Sequence, residues 1–105
     1  MLLKHESPRR IPFIKEKRDR ELREFEYNGS TFQVDPTSLT LISGRALKIT
    51  RCQLNNERIG NQVWRTSDNQ FVTFTPDDFL EFAEAVDEYV EQVYAESWQK
   101  IDGDN

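Results

Sequence analysis

The run Val63-Trp64-Arg65-Thr66-Ser67-Asp68-Asn69-Gln70-Phe71-Val72-Thr73-Phe74-Thr75-Pro76-Asp77-Asp78-Phe79 constrains the fold more than any other stretch of the chain. Apolar and β-branched residues flank Ser67-Asp68-Asn69-Gln70, a cluster whose members bond their own backbone or tolerate positive φ, so the run reads as strand, turn, strand. Thr75 then caps a helix. Its hydroxyl can accept from the free N–H groups of the first turn, Pro76 stands where a missing N–H does no harm, and Asp77 and Asp78 face the positive end of the helix dipole.

A second hairpin is written in Phe25-Glu26-Tyr27-Asn28-Gly29-Ser30-Thr31-Phe32-Gln33-Val34. Asn-Gly is the strongest dipeptide for a type I′ turn, which pairs Phe25 with Phe32. Alternation puts Phe25, Tyr27, Phe32 and Val34 on a buried face and Glu26, Thr31 and Gln33 on a wet one. Asp35-Pro36 repeats the cap-then-proline logic, and Leu39, Ile42, Ala46 and Ile49 recur at helical spacing behind it. Gly44 within that short helix costs about 1 kcal/mol relative to alanine, which predicts close approach of another backbone there. Residues 51–61 read as a polar loop. The longest helix follows Thr75: Phe79, Phe82, Val86, Tyr89 and Val93 form its apolar stripe, widened by Ala83, Val90, Ser97 and Trp98. Trp64 and Phe79 are expected in the core where hairpin meets helix. The aromatic stripe favours packing on the sheet over a coiled-coil seam.

Residues 15–24 are charged almost all round, with pairs such as Glu16–Arg20 and Asp19–Arg23, and predict a solvated helix. Before them, Pro8 and Pro12 predict an extended arm over residues 1–14, since each proline pushes its predecessor out of helical geometry. Arg9, Arg10, Ile11, Phe13 and Ile14 in this arm are the candidate partner-binding residues, because an apolar cluster in a segment without its own core docks elsewhere. The expected division is therefore an arm over 1–14, one small α+β domain over 15–101, and a disordered tail over 102–105. The expected order is helix, β-hairpin, helix, β-hairpin, long C-terminal helix, the last packed on a small antiparallel sheet.

The chain's 105 residues suit one domain, and seven Phe, two Trp and three Tyr supply the buried area that a modest 36% hydrophobic content would otherwise lack. No stretch has the length of a signal peptide or a membrane span, which predicts a soluble protein made in the cytosol. The net charge of −5 is uneven. Residues 1–24 hold eight Lys/Arg against five Asp/Glu, whereas residues 75–105 hold ten Asp/Glu against one Lys, or +3 and −9. Such asymmetry can steer a partner or bring the basic end of one copy to the acidic helix of another. It disfavours nucleic acid, because the overall field repels phosphate.

Catalysis finds little to stand on. His5, the sole imidazole, lies in the arm, and lone Cys52 lacks the companions that zinc ligation or a disulfide requires. The acidic set from Asp77 to Glu91 lacks the loop and glycine of a calcium site and reads as a solvated helix face. None of the four glycines forms a phosphate-cradling loop. The expectation is a protein that is not an enzyme and carries no cofactor or metal.

Four stretches together carry a resemblance: Lys17-Arg18-Asp19-Arg20-Glu21 with the hairpin from Phe25 to Val34, Ile42-Ser43-Gly44-Arg45-Ala46-Leu47, the Trp64-Arg65-Thr66-Ser67-Asp68-Asn69 hairpin, and the helix from Phe79 to Trp98. Over about residues 15 to 100 the chain resembles a domain of unknown function found in tailed-bacteriophage tail proteins. Ser67 stands where that family commonly has alanine. The resemblance implies a structural component of the tail, associated with a tail fibre, baseplate or tail tip, whose partners are other phage tail proteins. It implies location in the virion tail after synthesis in the host cytoplasm, and a homo-oligomer in a symmetric ring or fibre base is compatible with it. It carries over no catalytic residue. Two alternatives stay open: a fibre-assembly chaperone absent from the mature virion, and a host-directed inhibitor that uses its acidic end as a nucleic-acid mimic.

Overall fold

The computed structural model describes residues 7–103. They form α1 (Ser7–Glu21), β1 (Phe25–Tyr27), β2 (Ser30–Phe32), α2 (Pro36–Leu54), β3 (Gln62–Arg65), β4 (Phe71–Phe74) and α3 (Pro76–Gly103), an α+β order that matches the expected alternation of helices and hairpins. The two hairpins are separate two-stranded antiparallel sheets rather than one sheet. A single backbone bond, Ser67 N–H to Thr31 C=O at 2.8 Å, ties the turn of the second to β2 of the first.

Local chemistry sets both turns. Asn28 at φ 50° and Gly29 at φ 83° supply the two positive dihedrals of a type I′ turn, and Phe25 pairs with Phe32. In the second hairpin Thr66 N–H bonds Gln70 C=O at 2.8 Å, Asn69 N–H returns to Thr66 C=O at 3.1 Å, and Asn69 adopts φ 63°. That is a type I turn closed by a left-handed residue, with asparagine in the place glycine usually takes. Buried Thr66 holds it together: its hydroxyl accepts from Gln70 N–H at 3.0 Å and donates to the Asp68 carboxylate.

Caps then define the helices. Asp35 Oδ1 accepts from Ser38 N–H at 3.1 Å and Thr75 Oγ1 accepts from Asp78 N–H at 3.1 Å, each followed by a proline at the first helical position. α2 runs to Leu54, so the expected polar loop over 51–61 begins as helix and becomes loop after residue 54. Asn56, at φ 55°, ends it: Glu57 N–H reaches Cys52 C=O at 2.8 Å and Asn56 N–H reaches Gln53 C=O at 3.2 Å, the paired bonds of a Schellman stop.

α3, about 42 Å long at 1.5 Å per residue, is the spine. Phe79, Phe82, Val86, Val90 and Val93 are buried along one side, against Phe25, Phe32 and Val34 of the first hairpin region, Phe74 of the second, Leu22 beyond α1, and Ile42 and Ile49 of α2. Phe82 is the hub. Its ring lies 4.7 Å from Phe32, 4.9 Å from Phe74, 5.2 Å from Tyr27 and 5.6 Å from Phe79, centroid to centroid.

Several expectations need correction. Residues 7–14 are helical, not extended: Pro8 falls in the first turn, where its missing donor is harmless, and Pro12 sits inside α1 at the cost of one backbone bond. Residues 1–6, with His5, lie outside the described part, as do 104 and 105. α3 continues through Gly103, two residues into the expected disordered tail over 102–105. Trp64 is half-buried rather than a core residue, because it sits over Phe79 at 5.1 Å at the rim of the core, beneath the Arg45 guanidinium. Trp98 is 58% exposed, beyond the reach of the hairpins. A Cβ at Gly44 would meet nothing within 4 Å, so no neighbouring backbone compensates for that glycine.

Candidate docking surfaces

The helical course of α1 separates the residues expected to dock together. Arg9 and Arg10 fall in its first turns. Ile11 and Ile14, three residues apart, are half-buried on the stripe that continues through Arg18 to buried Leu22. Phe13 is set off from that stripe by the helical period and is 70% exposed. The two helices are joined by Tyr89, whose hydroxyl donates to the Glu21 carbonyl at 2.8 Å, and by Arg18, whose guanidinium lies 4.8 Å from the Tyr94 ring centre. Of the five candidate residues, then, Phe13 is the one whose side chain is largely in solvent among those whose burial is described.

A second surface escaped the sequence reading. On the second hairpin, Gln62, Trp64, Val72 and Phe74 turn toward the core, leaving Val63, Arg65, Phe71 and Thr73 on the outer side. Val63 is 54% and Phe71 66% exposed, and Leu41 of α2 is 60% exposed. These three border an open groove of about 480 Å³ between α2 and β3, with Trp64 and Arg65 also in its wall. Arg65 lies 6.0 Å from the Phe71 ring centre. Arg45, from α2, donates to Gln62 Oε1 at 2.6 Å, and Gln62 Nε2 donates to the Gly60 carbonyl at 2.7 Å, so buried Gln62 has both ends satisfied. The signal was legible in principle: apolar residues at both parities of a hairpin that has a helix layer on one side.

Electrostatics divide the molecule. Residues 36–67 carry five Lys/Arg against one Asp/Glu, and α2 has no carboxylate. The outer side of α3 is instead lined by exposed Asp77, Asp78, Glu81, Glu84, Asp87, Glu88 and Glu91. Burial raises the Tyr89 phenol above the ordinary tyrosine value, with Glu21, Glu24 and Glu96 adding to it. Tyr27 moves the same way through burial, then Glu81 and Asp78.

Among the described residues, no three His, Cys, Asp or Glu side chains gather as a metal site would need, and half-buried Cys52 is a free thiol. No described helix is long and apolar enough to cross a membrane. The surfaces on offer are therefore an exposed phenylalanine on a basic helix, an apolar groove with arginine in its wall, and an acidic helix back.

No curated protein and no solved structure matches the chain. The model of a family described as a domain of unknown function, DUF4376, matches residues 7–103, the whole span from the first turn of α1 to the end of α3. The chain belongs to the DUF4376 family.

Proposed function

We propose that the chain is a structural component of a bacteriophage tail, associated with a fibre, baseplate or tail tip, and that it acts by protein–protein docking. The tail assignment rests on the resemblance of its hairpins and helices to domains of phage tail proteins. The docking role rests on one observation above others: Phe13 stands 70% exposed on a helix whose half-buried Ile11 and Ile14 already serve the domain. An aromatic ring held in water by a rigid helix costs little entropy to bury on a partner. The exposed basic residues on its side of the helix, Lys17 one turn on and Arg20 two turns on, add attraction to an acidic neighbour and make it sensitive to salt.

The test is complementation of a phage lacking the gene. Phe13→Glu leaves the melting temperature within about 4 °C of wild type, as expected of an exposed site, while the chain disappears from purified particles by mass spectrometry and electron microscopy shows defective tails. Deleting residues 1–14 gives the same assembly defect with a larger stability loss, of about 1–3 kcal/mol, since Ile11 and Ile14 go with it. Infectious particles that carry the Phe13→Glu chain at wild-type level refute docking through α1. Wild-type particles that lack the chain altogether, formed only when it is supplied, point to the chaperone instead.

A further inference from the structure

We infer that the groove between α2 and β3 binds an extended acidic and apolar segment of another polypeptide, which adds to the open edge of β3 as a third strand. Neither the tail assignment nor docking through Phe13 is needed for this inference.

The register of the second hairpin fixes which backbone groups are free. Thr66 N–H bonds Gln70 C=O, so by the alternation of an antiparallel ladder the pairs Trp64–Val72 and Gln62–Phe74 exchange their bonds inside the hairpin. Val63 and Arg65 then direct N–H and C=O away from β4. Among the described residues these groups meet no protein partner: the second sheet ends at β3, and neither residue takes part in a loop or side-chain bond to its backbone. Val63 through Ser67 line the groove in unbroken succession while β4 contributes Phe71 next to the turn, so the groove follows the β3 edge.

Natural edge strands are normally blunted by a charged side chain, proline, a bulge or a covering element, because an open apolar edge recruits strands indiscriminately. Over Gln62–Arg65 the single such device on β3 is the charge of Arg65 at its end, which a complementary carboxylate neutralises, and Val63, the other residue with outward backbone groups, is β-branched and 54% exposed. The other groove wall supplies Leu41, 60% exposed, so a strand laid on the edge has apolar contacts on its α2 side as well as main-chain bonds. Charge chooses the occupant. Arg65 is in the wall, Arg45 stands behind Trp64, and no Asp or Glu lines the groove. A strand alternating valine or isoleucine with carboxylates satisfies the edge and the arginine together, whereas a basic strand meets like charge.

The experiment uses the full chain, labelled with nitrogen-15, and three heptapeptide series in which Val and Ile alternate with Glu and Asp, with Lys, or with Ser. The acidic series is expected to shift the amide signals of Val63 and Arg65 and slow their hydrogen exchange, binding at least about tenfold more tightly than the lysine series. Val63→Pro removes one outward N–H without touching the ladder to β4, and is expected to leave the fold's spectrum intact and lower affinity at least about tenfold. Thr73→Pro, the equivalent change on the β4 edge, leaves binding unchanged. Equal binding of acidic and lysine peptides, binding that survives Val63→Pro with no protection of β3 amides, or no binding by any series overturns the inference. Dimers of the chain alone that Val63→Pro dissociates overturn it in favour of a second copy as the occupant. Should Val63→Pro lose the native spectrum, Arg65→Glu takes its place and is expected to invert the preference from acidic to lysine peptides; an unchanged preference overturns the charge argument.

Discussion

Phe82→Ala is expected to remove a large part of the stability of this domain. The side chain is fully buried and its ring meets the rings of Phe25, Tyr27, Phe32, Phe74 and Phe79, which come from both hairpins and the first turn of α3. Truncating a buried phenylalanine costs about 3–5 kcal/mol in lost transfer energy and residual cavity. Aromatic pairs add about 0.5–1.5 kcal/mol each in isolation, without full additivity, so the upper end, about 4–5 kcal/mol, applies to a ring at the centre of five. The total for a domain of this size is only about 5–15 kcal/mol. At about 4–8 °C per kcal/mol, the melting temperature falls by at least about 16 °C.

Calorimetry and urea unfolding measure this directly, with an unchanged m-value showing that the same surface is exposed. Two variants calibrate the scale. Phe71→Ala, at a residue 66% exposed, should stay within about 0.5 kcal/mol of wild type. Trp64→Ala, half-buried over Phe79, should fall between, at about 1.5–3 kcal/mol, and not in the range of a core aromatic. A Phe82→Ala protein that melts within about 5 °C of wild type would refute the placement of the core, since no relaxation of five rings could absorb the cavity so completely.

Two glycines should respond in opposite directions to added side chains. Gly44→Ala, in an exposed helical turn with open space around its Cβ position, is expected to stabilise by about 0.5–1 kcal/mol. Gly29→Val, at φ 83°, is expected to destabilise by about 1–2 kcal/mol although its surroundings are equally open, because the strain lies in the backbone; urea midpoints decide both. Alkaline stability tests Tyr89: with its folded pKa raised by burial and by Glu21, Glu24 and Glu96, its contribution is whole below the ordinary tyrosine pKa of 10.0 and is lost as pH rises through the higher folded value. Tyr89→Phe should cost about 1 kcal/mol at neutral pH through the lost bond to the Glu21 carbonyl, and should show a weaker decline in urea midpoint as pH rises above the ordinary tyrosine value of 10.0.

What could be read in the sequence was what depends on short-range stereochemistry. Asn28-Gly29 admits few turns other than type I′, so the pairing of Phe25 with Phe32 followed from two residues. Asp35-Pro36 and Thr75-Pro76 likewise marked two helix starts within a residue. Competing long-range terms produced the misses. Pro12 argued against a helix locally, yet Ile11 and Ile14 gain burial on the α1 stripe that an extended segment would forgo. Asn55-Asn56 looked like part of a loop when Asn56 was the left-handed stop of a helix that runs through Leu54. The docking candidates suffered for the same reason: a residue list in an arm becomes a face once a helix separates Phe13 from its neighbours.

The two hairpins share a topology and one helix that covers them, so their uncovered faces can be compared on equal terms. In the first, the outer positions are Glu26, Thr31 and Gln33, as a wet face demands. In the second they are Val63, Arg65, Phe71 and Thr73, and two large apolar side chains are left more than half exposed. Residues that touch so little of the domain's own core contribute little to its folding. Val63→Thr with Phe71→Thr should therefore change stability by no more than about 1 kcal/mol, since each site is exposed and threonine suits a strand as well as valine does. The same pair should weaken binding of the acidic heptapeptides, because it takes apolar surface out of the groove wall beside Arg65. A loss of several kcal/mol would instead mean that these side chains brace the β3–β4 pairing, and that their exposure reflects the needs of the hairpin rather than a place kept open for a partner.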